Sequence, residues 1–200
     1  VTLPAAVLYG LSDITSDESE KFWSAWQALP ESTRVRSVRI LVDTSESNFE
    51  FQYQQVALCL LQDESPQVRQ GAIELLWEDE SLEVMERLLA LLPNEPADLV
   101  RAEIMNALGR FVLLGEYGDI PSQDATRVQD AVLRVWHQPD TGLIVRRRAL
   151  EAIANSSRPD VRDIIQEAYH SARNELQVSA IHAMGRSCDN YWAEAVIEEL

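Results

Sequence analysis

The feature that most constrains the fold of this chain is a helical motif that occurs four times. Its copies are PQVRQGAIELLWED (66–79), DLVRAEIMNALGRF (98–111), LIVRRRALEAIANS (143–156) and NELQVSAIHAMGRS (174–187). Aligned on Val68, Val100, Val145 and Leu176, the copies are spaced by 32, 45 and 31 residues. Apolar residues recur in each at intervals of three and four, which places them on one face of an α-helix. Residues 32–44, STRVRSVRILVDT, fit as a fainter fifth copy. The chain is therefore expected to be built from repeats.

A second amphipathic segment lies between successive copies, so that each repeat is predicted to be a helical hairpin. These segments cover 16–30, 49–62, 81–92, 122–137, 159–170 and 190–200. Proline and glycine separate the periodic runs, and no β-hairpin signal is present. The predicted fold is all-α, an α-α superhelix (solenoid) of about five hairpins. We expect one domain over residues 1–200, with a helical cap region at 1–30 and repeats at 31–200. Because the sequence begins without methionine and stops inside a helical pattern, we expect a fragment of a longer chain.

The acidic composition of the chain argues against nucleic acid and anionic membranes as partners. The chain has 33 acidic and 17 basic residues and a net charge of −16, so its surface repels nucleic acid and anionic membranes. No apolar run approaches the length of about 20 residues that spans a bilayer. The two cysteines are far apart and outside any metal-ligand spacing, which favours a reduced, cytoplasmic setting.

The repeated residues resemble the HEAT repeats, within them the short type related to phycobilisome lyase subunits. The resemblance rests on the pattern D-x-x-P-x-V-R-x-x-A, nearly whole in DESPQVRQGA (63–72), and on the helix ends ALGR (107–110) and AMGR (183–186). It covers about 31–200. What it implies is a solenoid fold, usually serving as a binding scaffold and in a few cases carrying catalysis.

The resemblance also implies that the first arginine of each copy forms a ladder with an acidic residue in the preceding turn. The pairs, each six residues apart, are Asp63 with Arg69, Glu95 with Arg101 and Asp140 with Arg146. A planar guanidinium can bind a carboxylate bidentately or donate to the carbonyls of a partly buried turn. The fourth copy has Gln177 at this position and no acid six residues earlier, so its turn is expected to be held differently.

Arg147 and Arg148 fall outside the ladder position. Consecutive helical residues point about 100° apart, so the arginine triplet 146–148 cannot face a single ligand. We favour a solvated face with pairing to nearby acids such as Glu151, and the alternative is a contact to an anion or an acidic peptide.

No residues are predicted to carry catalysis or to hold a cofactor or metal. His137, His170 and His182 are 33 and 12 residues apart with no HExxH or His/Cys pairing, and neither Cys59 nor Cys188 belongs to a nucleophile motif. The five tryptophans are expected mostly in hairpin packing. The insertion at 113–124 is expected to be a longer helix with a packed turn, and the alternative is a binding loop.

The sequence thus predicts a non-catalytic scaffold that binds another protein along its second helices. Its predicted contact residues are Glu83, Glu86, Arg127, Asp130, Arg134, Asp163, Glu167, Glu194 and Glu198. This mostly acidic row predicts a partner with a basic or mixed-charge surface. The alternatives are a subunit of a lyase-type enzyme acting on a chromophore-bearing protein and a structural spacer between domains. The oligomeric state is left open.

Overall fold

A computed structural model describes residues 3–199 of the chain, the side chain of Ala5 apart. These residues form twelve α-helices and no strand. The helices are α1 Ala5–Tyr9, α2 Ser16–Gln27, α3 Glu31–Ser47, α4 Gln54–Leu60, α5 Pro66–Leu75, α6 Leu82–Leu91, α7 Asp98–Tyr117, α8 Ser122–His137, α9 Leu143–Ile153, α10 Pro159–Tyr169, α11 Asn174–Arg186 and α12 Ala193–Glu198. Short 3₁₀ turns precede α7 and α12, at Leu92–Asn94 and Asn190–Trp192. The prediction of an all-α fold is confirmed.

Two boundaries differ from those that the periodicity predicts. The segment predicted as helical over 49–62 becomes helical only at Gln54, since residues 49–50 form a turn and residues 51–53 have no regular secondary structure. Helix α7 continues through the predicted insertion to Tyr117 and ends at Gly118, whose φ of 77° is readily adopted only by glycine. The region 113–124 is therefore a longer helix and a short turn, as expected.

The chain divides into two compact units, and the division falls within α6, after Val84. In the first unit, Val1–Val84, α5 packs on both α3 and α4, α2 packs on α4, and α1 packs on α3. Its fully buried side chains come from the predicted apolar faces. They include Val38, Leu41, Val56, Leu60, Val68 and Ala72.

In the second unit, Met85–Leu200, the most extensive helix contact is between α7 and α9. Helix α8 packs on both of these helices, α11 packs on α9 and α10, and α12 packs on α11. At Gly109 of α7, an added Cβ would lie 3.1 Å from the Cα of Ala152 in α9, so the two backbones approach closely there. The core includes Ile104, Met105, Leu108, Phe111, Val128, Val132, Val145 and Leu150, all fully buried.

Three of the tryptophans are in the core, as predicted for hairpin packing: Trp26, Trp136 and Trp192 are 2%, 5% and 5% exposed. Trp77 differs, since 44% of its surface is exposed. Among residues 3–199, no helix is both long enough and apolar enough to cross a bilayer.

Candidate functional site

In three of the four copies, the side chain at the ladder position donates hydrogen bonds to backbone carbonyls of the preceding turn. Arg69 Nη1 donates to the carbonyl oxygens of Asp63 (2.7 Å) and Glu64 (3.0 Å). In the fourth copy, Gln177 Nε2 donates to the carbonyl oxygen of Ser171, again six residues earlier, at 2.9 Å. The expectation that this last turn is held differently is wrong, because an amide N–H can serve the same carbonyl as a guanidinium N–H.

Arg146 also donates to backbone carbonyls, so the predicted pairing of Arg146 with Asp140 is wrong. Its Nη2 donates to the carbonyl oxygens of Gln138 (3.0 Å) and Pro139 (3.1 Å). Asp140 is exposed and makes no ion pair within the described part of the chain. The spacing of six brings the guanidinium to the turn, where backbone oxygens are nearer than the solvated carboxylate.

Arg101 departs further from the prediction. Its Nη2 donates to the side-chain Oε1 of Gln138 (3.2 Å), and its Nη1 lies 3.6 Å from Asp98 one turn earlier. The expected pair with Glu95 is therefore wrong for this arginine. Gln138 follows α8, so Arg101 and Arg146 meet at the same turn from α7 and α9.

The residue six positions before the ladder side chain has its own recurring contact, an acceptance from the backbone N–H two residues later. The pairs are Asp63 Oδ1 with Ser65 N (2.9 Å), Glu95 Oε1 with Ala97 N (2.9 Å) and Ser171 Oγ with Arg173 N (3.2 Å). Side chains of this kind commonly close turns by such bonds. Asp63 and Glu95 thus stabilise their turns locally, whether or not an arginine reaches the carboxylate.

Asp63 is the most enclosed of these acids, at 2% exposure. Its Oδ2 accepts from the indole Nε1 of Trp26 at 2.7 Å and lies 3.5 Å from Nε of Arg34. Together with the bond from the Ser65 amide, this carboxylate joins α2, α3 and the turn before α5.

The arginine triplet does not converge on one site. Arg148 is exposed and its Nη1 lies 2.7 Å from Glu151, the pairing that the sequence predicts. Arg147 is half-buried instead, and its Nε donates to the hydroxyl of Ser179 at 2.9 Å. Ser179 in turn donates to Glu151 at 2.7 Å, so these side chains connect α9 to α11.

All nine predicted contact residues are exposed. They lie on the second helices, at Glu83, Glu86, Arg127, Asp130, Arg134, Asp163, Glu167, Glu194 and Glu198. We call this set the second-helix face. The structure confirms the exposure of its members, and their contact with a partner stays a prediction.

Three members of the second-helix face are engaged in ion pairs within the second unit. Arg127 of α8 donates to the carboxylate of Glu86 in α6 through Nη1 (2.5 Å) and Nη2 (2.9 Å). These hydrogen bonds lower the pKa of Glu86. Asp130 of α8 lies 2.6 Å from Arg158, just before α10. These pairs connect successive second helices, and the geometry of the face is partly set by them.

A third ion pair in the second unit joins two residues that are not among the predicted contact residues. Arg162 of α10 lies 2.6 Å from Asp189, and its guanidinium stands 4.6 Å from the ring centroid of Tyr191. A bond from the Tyr191 backbone N–H and the contact with Arg162 both lower the pKa of Asp189. In contrast, Asp163, Glu167 and Glu194 make no hydrogen bond or ion pair through their carboxylates with other described residues, so these carboxylates are available to a partner.

An aromatic cluster in the first unit is the main feature that the sequence analysis missed. The rings of Phe49 and Trp77 have centroids 6.4 Å apart, and Phe51 stacks on Tyr9 (5.1 Å) and Tyr53 (6.1 Å). Its sequence signal is the alternation of aromatic residues in FEFQY (49–53), a segment that the periodicity predicts to be helical.

Burial of Tyr53 leads to a pH-dependence of stability. Burial, with a smaller contribution from Tyr9, raises the pKa of Tyr53 from 10.0 to about 12. In the unfolded chain the phenol ionises near its ordinary pKa, so this contribution to stability is complete below that pH and is lost as the pH rises through the folded value. Between about pH 8 and about pH 11 we expect the free energy of unfolding to fall by about 1–2 kcal/mol through Tyr53, since pH 11 lies midway between the unfolded and folded pKa values. Urea denaturation of the wild type and Tyr53→Phe at about pH 8 and about pH 11 measures it, and equal losses in both proteins would contradict it.

Within the described residues, no group of three or more His, Cys, Asp and Glu side chains is placed to hold a metal ion. Neither cysteine forms a disulfide within the described residues; Cys59 is half-buried and Cys188 is exposed. No protein-family model, no curated protein and no solved structure matches the chain.

Proposed function

We propose that this chain is a non-catalytic scaffold in which HEAT-like hairpins stack as a solenoid and the second-helix face binds another protein. The observation that carries the proposal is the exposure of all nine residues of that face, most of them acidic. The expected partner has a basic or mixed-charge surface, because charge complementarity steers association and sets the register of binding.

The helix packing within each unit supports the solenoid. First helices of successive repeats contact one another, α3 with α5 in the first unit and α7 with α9 and α9 with α11 in the second. Helix α9 thus contacts both helices of the preceding hairpin, α7 and α8, and the first helix of the following one, α11. Hairpins that bury their apolar faces against neighbouring hairpins are the unit of solenoid proteins.

The ion pairs between second helices support a preformed binding face. The Glu86–Arg127 and Asp130–Arg158 pairs span consecutive second helices, at the surface and without burying charge. Exposed pairs of this kind add little to stability, but they fix side-chain positions that a partner meets. The carboxylates that project beside them then supply the attraction to a basic partner.

The test reverses charge only where no internal ion pair is lost. Asp163, Glu167 and Glu194 are changed together to Lys, and we expect a partner retained by the wild type to be lost, with binding that also weakens as salt rises. The measurement is a quantitative affinity capture in which each retained protein is identified and its amount compared between variants.

The matched control changes the same number of exposed acids away from the face, at Asp43, Glu46 and Glu175. A partner that depends on the second-helix face is kept by this control and lost by the face variant. A partner held equally by both, or lost equally by both, would contradict the assignment of the face.

A further inference from the structure

A cleft of about 280 Å³ lies in the first unit beside the turn that precedes α4. Four of its eleven lining residues are aromatic, and the two charged ones are acidic. The residues that matter are Phe49, Phe51, Tyr53, Trp77, Glu78 and Asp79. We call this site the aromatic cleft.

Two of its rings are held open to solvent. Phe49 is 67% exposed and Trp77 is 44% exposed, with their centroids 6.4 Å apart and their planes inclined by 44°. Large apolar side chains of this kind are costly to leave in water, and grouped together they mark a binding site more often than isolated ones do.

Tyr53 adds a polar group to the same cleft. Its side chain is 3% exposed, and its hydroxyl has no hydrogen-bond partner among the described residues. A buried hydroxyl without a partner is unfavourable, and a peptide group brings both a donor and an acceptor that can satisfy it.

The charges around the aromatic cleft favour a positively charged ligand. The charged residues that line the cleft are Glu78 and Asp79, and Glu78 is exposed. A cation is attracted to aromatic faces as well as to carboxylates, whereas an anion is repelled by both. Arginine fits better than lysine, because a planar guanidinium stacks on a ring while donating in its own plane to a carboxylate.

We propose that the aromatic cleft binds an arginine side chain of a basic peptide segment, with the guanidinium on the rings of Phe49 and Trp77 and directed to Glu78. The inference rests on the proposed function only in that the occupant belongs to a protein. It uses residues of the first unit and no residue of the second-helix face, so each site can fail without the other.

The experiment follows the indole N–H resonance of Trp77 by two-dimensional NMR, assigned by its loss in Trp77→Phe. The probe is Gly-Arg-Gly with blocked termini, added up to about 10 mM to cover weak binding by one side chain. The reference is the same peptide with citrulline, which keeps the shape of arginine and removes its charge. We expect the arginine peptide to bind at least about fivefold more tightly than the citrulline peptide.

Variants locate the binding. Phe49→Ala and Glu78→Gln should each weaken it at least about threefold, since one removes a ring face and the other a charge. The matched controls are Tyr117→Ala, an aromatic residue 72% exposed in the other unit, and Glu175→Gln, and both should bind as the wild type does. Retained helical circular dichroism confirms that each variant is folded.

No shift of the Trp77 resonance, equal affinity for the citrulline peptide, or undiminished binding by Phe49→Ala would each overturn the proposal. The variant with Lys at Asp163, Glu167 and Glu194 distinguishes this proposal from the proposed function. It should abolish capture of the partner of the second-helix face and leave the titration of the aromatic cleft unchanged.

Discussion

Replacing Asp63 by alanine is expected to lower the free energy of unfolding by about 3–5 kcal/mol, the range found when one member of a buried charged network is removed. The carboxylate is 2% exposed and accepts from Trp26 and from the Ser65 amide, with Arg34 at 3.5 Å. Alanine leaves the indole and amide N–H groups without this acceptor and the guanidinium without its counter-ion. Each lost partner adds its own desolvation cost.

Chemical denaturation monitored by circular dichroism measures this loss, and two further variants separate its causes. Asp63→Asn keeps a carbonyl oxygen for one N–H and removes the charge, so its stability should lie between those of the wild type and Asp63→Ala. The matched control is Asp140→Ala, because Asp140 stands at the same repeat position but is exposed and unpaired. A change within about 0.5 kcal/mol is expected there. Comparable losses at the two positions would contradict the view that enclosure of Asp63 matters.

Gly115→Ala is expected to lower the free energy of unfolding by about 1–3 kcal/mol through overpacking. A Cβ at this position of α7 would lie 2.5 Å from the Cβ of Ala125 and 3.4 Å from its Cα. Because the neighbour is a methyl group attached directly to the backbone of α8, it cannot rotate away. The two helices must separate to accept the substitution, which loosens the packing at the end of this hairpin.

The opposite sign is expected for Gly185→Ala in α11, where an added Cβ meets no atom within 4 Å. Alanine there should stabilise the protein by about 0.5–1 kcal/mol, because it restricts the unfolded chain and favours the helix. Thermal and urea unfolding of both variants measure the difference. Stabilisation by Gly115→Ala would contradict the close approach of α7 and α8.

Periodicity in the sequence was sufficient for the helices and their buried faces. Val68, Val100, Val145 and their neighbours repeat at the spacing of a helical face, and burial of one face is the dominant constraint on such segments. Local alternation was harder to read over 49–53, because apolar residues at 49, 51 and 53 also fit the flank of a helix. In the structure this segment precedes α4 and is not helical, and Phe51 packs against Tyr9.

The candidate contacts were predicted less completely than the helices. Spacing along the chain indicates which side chains lie near each other, but it does not determine which atoms form the hydrogen bonds. The separation of six residues brings Arg146 to its turn, yet carbonyl oxygens at 138 and 139 receive its hydrogen bonds. Likewise, helical periodicity correctly predicts that Glu86 and Arg127 are exposed, but their pairing across 41 positions depends on where α6 and α8 lie in the folded second unit.

The bond made by Gln177 has a consequence for how the repeat can vary. Its amide reaches the carbonyl of Ser171 as the guanidinium of Arg69 reaches that of Asp63, so a neutral side chain and a charged one perform the same task. What these two turns require is a long side chain ending in an N–H group. Substitutions between arginine and glutamine at such a position can therefore alter the charge of the surface while the turn keeps the same hydrogen bond, so that surface charge can change independently of the fold.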